Sequence, residues 1–542
     1  MPEHATNSTP AKPDFDCLIV GAGFGGIYLL HQLRKLGYSC RIYEAGSDLG
    51  GVWNTSRYPG ARVDTPIPVY EFSFEEVWKD WTWTETYPGA QEIRNYFQHV
   101  ENVLHIKEHV DFNKRVVGAQ YDVPSHRWRI STEDGTTATS RFFLVCAGFA
   151  AKTFIPDFKG LDKFKGEVHH SSSWPEQGID VRGKRVGIIG TGSSGVQIVQ
   201  EWGKLAKSTV VFQRTPNLSL PMRQTKASAE EQNKRKPGYP DFFKKRQQTY
   251  GGQPVEPWNK NVFDDTSQDR EAFFERRWQE GGFGFWIANY RDLYTDLKAN
   301  REAYDFWARK TRERIQDPVK RDIVAPMEPP HPFGTKRPSL EQDYFDVLNR
   351  PNVQVVDVKK NKIVEVLQDG IQTEDGSFFP VDAIALATGY DAITGSLTNM
   401  GLRNVDGVPL AEEWKKGATS YLGMTRNGYP NMFFVYSVHA PTAFSNGPSC
   451  VETQGNWIVD AILTIDGSGL RYIEPTPEAE KEWKDKVNAL SDRTLHPLTD
   501  SWYMGANIPG KPREQLNYLG GLDFYESECR RALEDWHGFN TV

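Results

Sequence analysis

Cysteine is scarce in this chain. Five occur among 542 residues (Cys17, Cys40, Cys146, Cys450 and Cys529), and no two of them stand as C-x-x-C. That excludes a dithiol redox centre and a structural zinc site, and no metal is expected. Cys17 and Cys40 fall in apolar, strand-like runs and read as small buried hydrophobes of a reducing compartment. No run approaches the roughly 18 apolar residues that a bilayer requires, so no membrane partner is expected. Residues 1–14 lack the apolar core of a signal peptide and read as a disordered arm, which makes the cytoplasm the expected location. Positive charge is not in surplus either. The net charge of −7 argues against a nucleic acid or an anionic membrane as partner. With 38% hydrophobic and 25% charged residues, the composition is that of an ordinary globular protein. It is long enough for two to four domains, and a monomer is expected.

Glycine, in contrast, is placed with purpose. An apolar run from Phe15 to Val20 leads directly into Gly21-x-Gly23-x-x-Gly26. Ile27, Leu30 and Leu33 then recur at helical spacing, Gly37 is placed to end the helix, and the next strand ends on Glu44, 18 residues after Gly26. The order strand, glycine turn, helix, strand, acid predicts a dinucleotide site. Gly21 permits the tight turn, Gly23 lets the backbone approach a pyrophosphate, and Gly26 lets helix pack on strand. The pyrophosphate would sit on the helix N-terminus, with Glu44 accepting from ribose hydroxyls. Soon after the acid come Gly50, Gly51, Val52 and Trp53, and then Tyr58-Pro-Gly-Ala-Arg-Val-Asp64. A glycine pair there suits the close passage of a flavin's ribityl and phosphate groups, which points to FAD.

The pattern repeats. Lys184–Ile189 is a second buried strand, Gly190-x-Gly192-x-x-Gly195 a second cradle, and Val196, Val199, Trp202 and Leu205 form one helical face. The strand that follows ends on Gln213 and Arg214, with no acid. An acid there would repel a 2′-phosphate and an arginine would pair with it, so the second nucleotide reads as NADPH. Lys336, in Gly334-Thr-Lys-Arg337, offers a second cation.

Two further apolar strands, Leu144–Gly148 and Ile384–Gly389, bracket the second unit. They predict an α/β protein of two Rossmann-like domains with the second inserted in the first. The expected FAD-binding domain is 15–150 and 386–542, and the NADPH-binding domain 151–220 and 331–385. Residues 221–330 break the α/β rhythm and read as a helical subdomain. Its aromatics, among them Phe273, Phe274, Trp278, Trp286, Tyr290 and Trp307, read first as packing and second as a wall over a bulky apolar substrate.

Between the cradles stand Phe164, Gly166, His170, Trp174 and Pro175. They fill every position of F-x-G-x-x-x-H-x-x-x-W-P/D, and here the chain resembles the type I Baeyer–Villiger monooxygenases. Phe212-Gln-Arg-Thr-Pro216, Phe333-Gly-Thr-Lys-Arg337 and Ser501-Trp-Tyr-Met-Gly-Ala-Asn507 match as well, so the resemblance runs from about residue 16 to about 530. It implies FAD and NADPH as cofactors. It also implies insertion of one oxygen atom of O2 beside a ketone carbonyl, through a flavin peroxide, to give an ester or lactone. Cyclic or bulky apolar ketones are the expected substrates. On the FAD side it implies roles for Phe24, Gly25, Glu44, Gly51, Val52, Trp53, Asp64, Tyr70 and Val116. On the NADPH side it implies Thr191, Gly192, Ser193, Ser194, Gly195, Gln197, Arg214, Thr215 and Lys336. Arg337 resembles the family's active-site arginine, oriented by Asp64, and Trp502 its tryptophan near nicotinamide and substrate. His170 is expected in a hinge or hydrogen-bonding role near the domain linker, and His169 at the surface. Residues 440–446 resemble a pocket loop. Gly447 departs from the bulkier residue expected there, which bears on substrate range rather than on the chemistry. The alternatives are a sister flavin-containing monooxygenase that oxidises N or S atoms, whose fingerprint ends in Tyr or Phe where Trp174-Pro175 stands, and a non-catalytic flavoprotein that senses NADPH.

Overall fold

A computed structural model describes residues 13–542, and the first twelve residues of the expected arm lie outside the described residues. The Asp14 N–H donates to Thr139 Oγ1 at 3.1 Å, and regular structure begins with the Phe15–Val20 strand. This strand is central in the first sheet. The order across that sheet is Leu402–Arg403, Val116–Asp122, Arg127–Thr132, Thr137–Val145, Phe15–Val20, Cys40–Tyr43 and Val110–Asp111. Met432–Phe434 pairs parallel with the far end of Thr137–Val145. Cys17 and Cys40 face each other across two parallel strands, both buried, as their apolar settings predict.

The second sheet is wholly parallel: Val353–Asp357, Ser208–Gln213, Arg185–Ile189, Ala383–Leu386 and Glu167–His170. Its inner strands are nearly continuous runs of Val, Ile, Ala and Leu because helices or loops cover both faces. The chain enters this unit through 146–154 and leaves through 387–393. The two crossings zip together: Phe154 N–H donates to Gly389 O, Asp391 N–H to Lys152 O and Ile393 N–H to Phe149 O, at 2.8–2.9 Å. The Asp391 carboxylate adds ion pairs to Lys152 at 3.0 Å and to Lys511 at 2.8 Å.

Residues 221–330 are helical. Ser228, Thr266, Asp296 and Asp317 each cap a helix by accepting a backbone N–H of its first turn. Phe273, Phe274, Trp278, Tyr290 and Trp307 are buried in one continuous core with Trp174 and Trp202 of the second unit, so packing accounts for most of the aromatic stripe. Across the first unit, the Gly447–Gly467 helix crosses the Phe24–Lys35 helix closely: a Cβ at Gly455 would stand 2.6 Å from the Tyr28 ring. Among the described residues no helix is long and apolar enough to cross a membrane.

Candidate active site

Sterics set the first cradle. Gly21 has φ +96°, and a Cβ there would lie 2.6 Å from the Cys146 carbonyl oxygen. A Cβ at Gly26 would strike the Gly21 carbonyl. Gly23 and Gly51 face each other without side chains, a Cβ on Gly51 coming within 3.2 Å of the Gly23 Cα. The Phe24–Lys35 helix starts at this bare surface with no side-chain cap on its first N–H groups, which suits a pyrophosphate. Glu44 does more than the sequence suggests: its two oxygens accept from the N–H groups of Ala22 and Gly46, each at 2.6 Å, and so tie turn to strand. Its remaining lone pairs suffice for ribose hydroxyls. Phe24 packs against Tyr70 and Phe97, at 5.1 and 5.0 Å between ring centroids. Gly25 abuts Cys146, and Val52 is exposed. The Val116 side chain points into the core beside Val20 and Tyr43, so only its backbone can meet a cofactor.

The second cradle repeats the geometry. Gly190 has φ +104°, a Cβ there would strike the Ala387 carbonyl, and a Cβ at Gly195 would strike that of Gly190. The Ser193–Leu205 helix again begins without a side-chain cap. Thr191 Oγ1 donates to the Thr215 carbonyl at 2.9 Å. Two residues that sequence reasoning missed complete the turn. Asn217 Nδ2 donates to Thr191 O at 2.9 Å and to Ser339 Oγ at 2.8 Å, and Ser339 Oγ lies 3.0 Å from Ser193 Oγ. Neither carries a local sequence signal, because the brace joins segments 122 residues apart. Gln197 has a visible duty of its own. It accepts from the Tyr58 hydroxyl at 2.8 Å and donates to Arg62 O at 3.2 Å, docking the 58–62 loop of the first unit on the second.

The charge of Arg214 is felt at Lys336. Burial first, and then the charge of Arg214, lower the Lys336 ammonium to about 8. Among the described residues neither side chain makes an ion pair. Two cations held close and unpaired are a setting that an anion completes.

Arg337 is held by residues from distant parts of the chain. Its Nη2 and Nε donate to Asp64 Oδ2 at 2.9 and 3.3 Å, and its Nη1 to the Ala443 carbonyl at 3.0 Å. The guanidinium covers the rings of Phe283 and Trp286, at 4.9 and 5.5 Å. Burial opposes its charge, but the Asp64 carboxylate outweighs this and raises its pKa above the usual arginine range. Ala443 holds its place with φ +61°, a left-handed conformation uncommon outside glycine, and its N–H donates to Tyr436 Oη at 3.0 Å. Tyr503, buried beside the guanidinium, packs against the tilted rings of Phe444 and Trp502, at 4.3 and 4.2 Å. Trp502 in turn stacks on Phe149 of the first crossing, at 5.7 Å and 19°. Trp53 Nε1 donates to Tyr70 Oη at 3.0 Å.

The residues between the cradles build structure. Glu167–His170 is the edge strand of the second sheet, and a Cβ at Gly166 would strike the Asp382 carbonyl. Phe164 packs beneath that sheet, and Trp174 is buried 5.4 Å from Trp202. His170 Nδ1 accepts from Ser172 N–H at 3.2 Å, which leaves the proton on Nε2. Burial lowers its pKa, and its ring lies against Tyr390 of the return crossing. His169 is partly buried rather than at the surface, 3.7 Å from Glu167.

Comparison with known proteins agrees with this geometry. A flavin-binding monooxygenase-like family model matches residues 16–225. The FAD-binding monooxygenase acrE of Aspergillus aculeatus is 48% identical over 97% of this chain and 89% of its own. Cyclopentanone 1,2-monooxygenase of Comamonas sp. is 40% identical over 97% of this chain and 96% of its own. A Baeyer–Villiger monooxygenase of Pseudooceanicola batsensis is 36% identical over 98% and 96%. The chain belongs to the Baeyer–Villiger monooxygenase family. Among solved structures, OTEMO in complex with FAD and NADP superposes with a TM-score of 0.94 at 34% identity, over 98% of this chain and all of that one. In such an enzyme, bare glycine cradles and uncapped helix starts suit the pyrophosphates of two dinucleotides.

Proposed function

We propose that this enzyme holds FAD at Gly21–Gly26 and NADPH at Gly190–Gly195, and inserts one oxygen atom of O2 beside a ketone carbonyl to give an ester or lactone. The observation that carries this reading is Arg337, a permanently charged, buried guanidinium fixed by Asp64 and Ala443. When bound, the nicotinamide supplies electrons and the flavin the oxygen chemistry. The chain supplies charge, orientation and dryness. Of the five N–H donors of a guanidinium, three are engaged by Asp64 and Ala443, which leaves two for oxygens of substrate or oxidant. Phe283, Trp286, Phe444 and Trp502 form apolar walls that exclude water and suit a hydrocarbon ring.

Substrate size is read at Gly447. A Cβ there would come into ordinary contact with Tyr436 at 3.9 Å and Tyr70 at 4.0 Å, so Gly447 keeps a side chain off both rings. This supports cyclic or bulky apolar ketones as substrates, as does a relative named for cyclopentanone. The same reading assigns 15–150 and 386–542 to the FAD domain and 151–220 and 331–385 to the NADPH domain, with 221–330 as a helical insertion. A cytoplasmic monomer is the expected working form. Product analysis tests the activity: cyclic ketones and a thioether are offered with NADPH, and esters or lactones are expected. Sulfoxide formation with no ester would favour the N- and S-oxidising alternative.

A further inference from the structure

Among the described residues one ion pair has both side chains fully buried: Arg246 with Glu452, at 2.8 Å. Arg246 ends the Tyr239–Gln247 helix of the insertion, and Glu452 lies in the Gly447–Gly467 helix behind the site. Between them runs the segment 69–73. Arg246 Nη1 donates to the carbonyls of Val69 and Glu71, at 2.7 and 3.0 Å, and Glu452 Oε1 accepts from Ser73 N–H at 2.8 Å. Asn446 Nδ2 adds a third hold, on Val69 O at 3.0 Å. The segment is thus gripped on both sides of Tyr70. Tyr70 accepts from Trp53, sets its ring edge-on to Phe24 and faces Gly447.

The acid nearer in sequence is not the partner. Burial pushes the Glu71 carboxyl up to about 8, against the pull of Trp83, Arg246 and Lys236, so it is neutral near pH 7. The Arg246 charge therefore answers to Glu452. Apolar residues of similar volume hold such a site as well as a buried pair does, so stability alone does not account for it. What a planar guanidinium adds is direction, through several donors fixed at once.

We propose that Arg246 is a positioning residue for the oxygenation: by fixing both sides of Tyr70 it sets the wall between Trp53 and Gly447. The proposal rests on the reading that Tyr70 lines the flavin and ketone site. It makes the helical insertion, chemically silent in itself, a determinant of geometry in the FAD unit.

The test compares wild type with Arg246→Lys and with the double variant Arg246→Met/Glu452→Leu, which leaves no uncompensated charge. Melting temperature, the FAD dissociation constant of the apoprotein, the FAD absorption spectrum and ester formed per NADPH consumed are measured for each. The double variant is expected to fold but to melt below wild type, because the Glu71 carbonyl and the Ser73 N–H lose their partners, and to bind FAD about fivefold more weakly, with a shifted flavin band and about threefold less ester per NADPH. Adding Tyr70→Ala to it should cost far less than the same change in wild type, because coupled sites are not additive. Arg246→Lys keeps the charge but cannot reach both carbonyls, and it is expected to show the same losses in milder form. Wild-type spectrum, FAD affinity and coupling in the double variant would overturn the proposal. If the double variant does not fold, the same result in Arg246→Lys overturns it. A wild-type enzyme that oxidises no ketone contradicts the functional reading instead, and the spectrum and FAD affinity still decide the role of Arg246.

Discussion

Arg337 rests on a single oxygen of Asp64, Oδ2, at 2.9 Å from Nη2 and 3.3 Å from Nε. The two residues lie 273 positions apart in sequence, one in the loop after the first cradle and one after the helical insertion. Their pairing joins two segments that are far apart in sequence. It also fixes the guanidinium plane by two donors on one acceptor, leaving the third contact, to Ala443, to set its rotation.

Arg337→Ala should therefore separate the two halves of the reaction. NADPH oxidation is expected to persist in part, because the second cradle does not depend on this side chain. Ester formation is expected to fall by about 10²–10³, the usual consequence of losing one preorganised electrostatic contact. Arg337→Lys should recover little of it, since a point charge cannot meet Asp64 and Ala443 together. Parallel assays of NADPH loss and ester gain check this.

Arg214→Ala and Lys336→Ala should each weaken NADPH far more than NADH. A charge-assisted hydrogen bond is worth about 1.5–3 kcal/mol, which corresponds to roughly tenfold to a hundredfold in selectivity per residue. Lys336 adds a pH dependence. Its ammonium is lowered to about 8 without nucleotide, and a bound phosphate would raise it. The preference for NADPH over NADH should thus decline as pH rises through 8, and Lys336→Met should abolish that decline. Dissociation constants of both nucleotides from pH 6.5 to about 9.5 decide it.

Glu71 makes a stability prediction. Burial raises its carboxyl to about 8 in the folded protein, against 4.5 for an exposed glutamate. A raised folded value means that stability is fullest below the unfolded value and is lost as pH rises toward the folded one, by up to about 1.4 kcal/mol per pH unit. Glu71→Gln should remove this loss, so its melting temperature should gain on wild type between pH 5 and pH 8. Parallel pH slopes for the two proteins would show that Glu71 does not titrate in that window.

Much of this arrangement is legible in the sequence where the constraint is local. Gly26 and Gly195 are forced by the carbonyls of Gly21 and Gly190 in their own turns, Gly21 and Gly190 by the positive φ of those turns, and the missing acid before Arg214 is a local absence. The Arg337–Asp64 pair is visible only through family resemblance, because no spacing or period links residues so far apart. The Ala443 carbonyl, the Asn217–Ser339 brace and the Arg246–Glu452 pair have no local signal at all: each is a tertiary contact between elements that the sequence leaves unrelated. The aromatic stripe of 221–330 shows the converse. Its composition reads first as packing, and most of it is core, but nothing local marks Phe283 and Trp286 as the two that reach Arg337.

The central claim is that the protein transfers one atom of O2 into a ketone with electrons from NADPH. Purified protein reconstituted with FAD is incubated with NADPH, a cyclic ketone and isotopically heavy O2, and the product is analysed by mass spectrometry. The account predicts a lactone carrying one heavy oxygen atom, with about one NADPH consumed per lactone formed. NADPH consumption without lactone, or a lactone without the heavy atom, would contradict it.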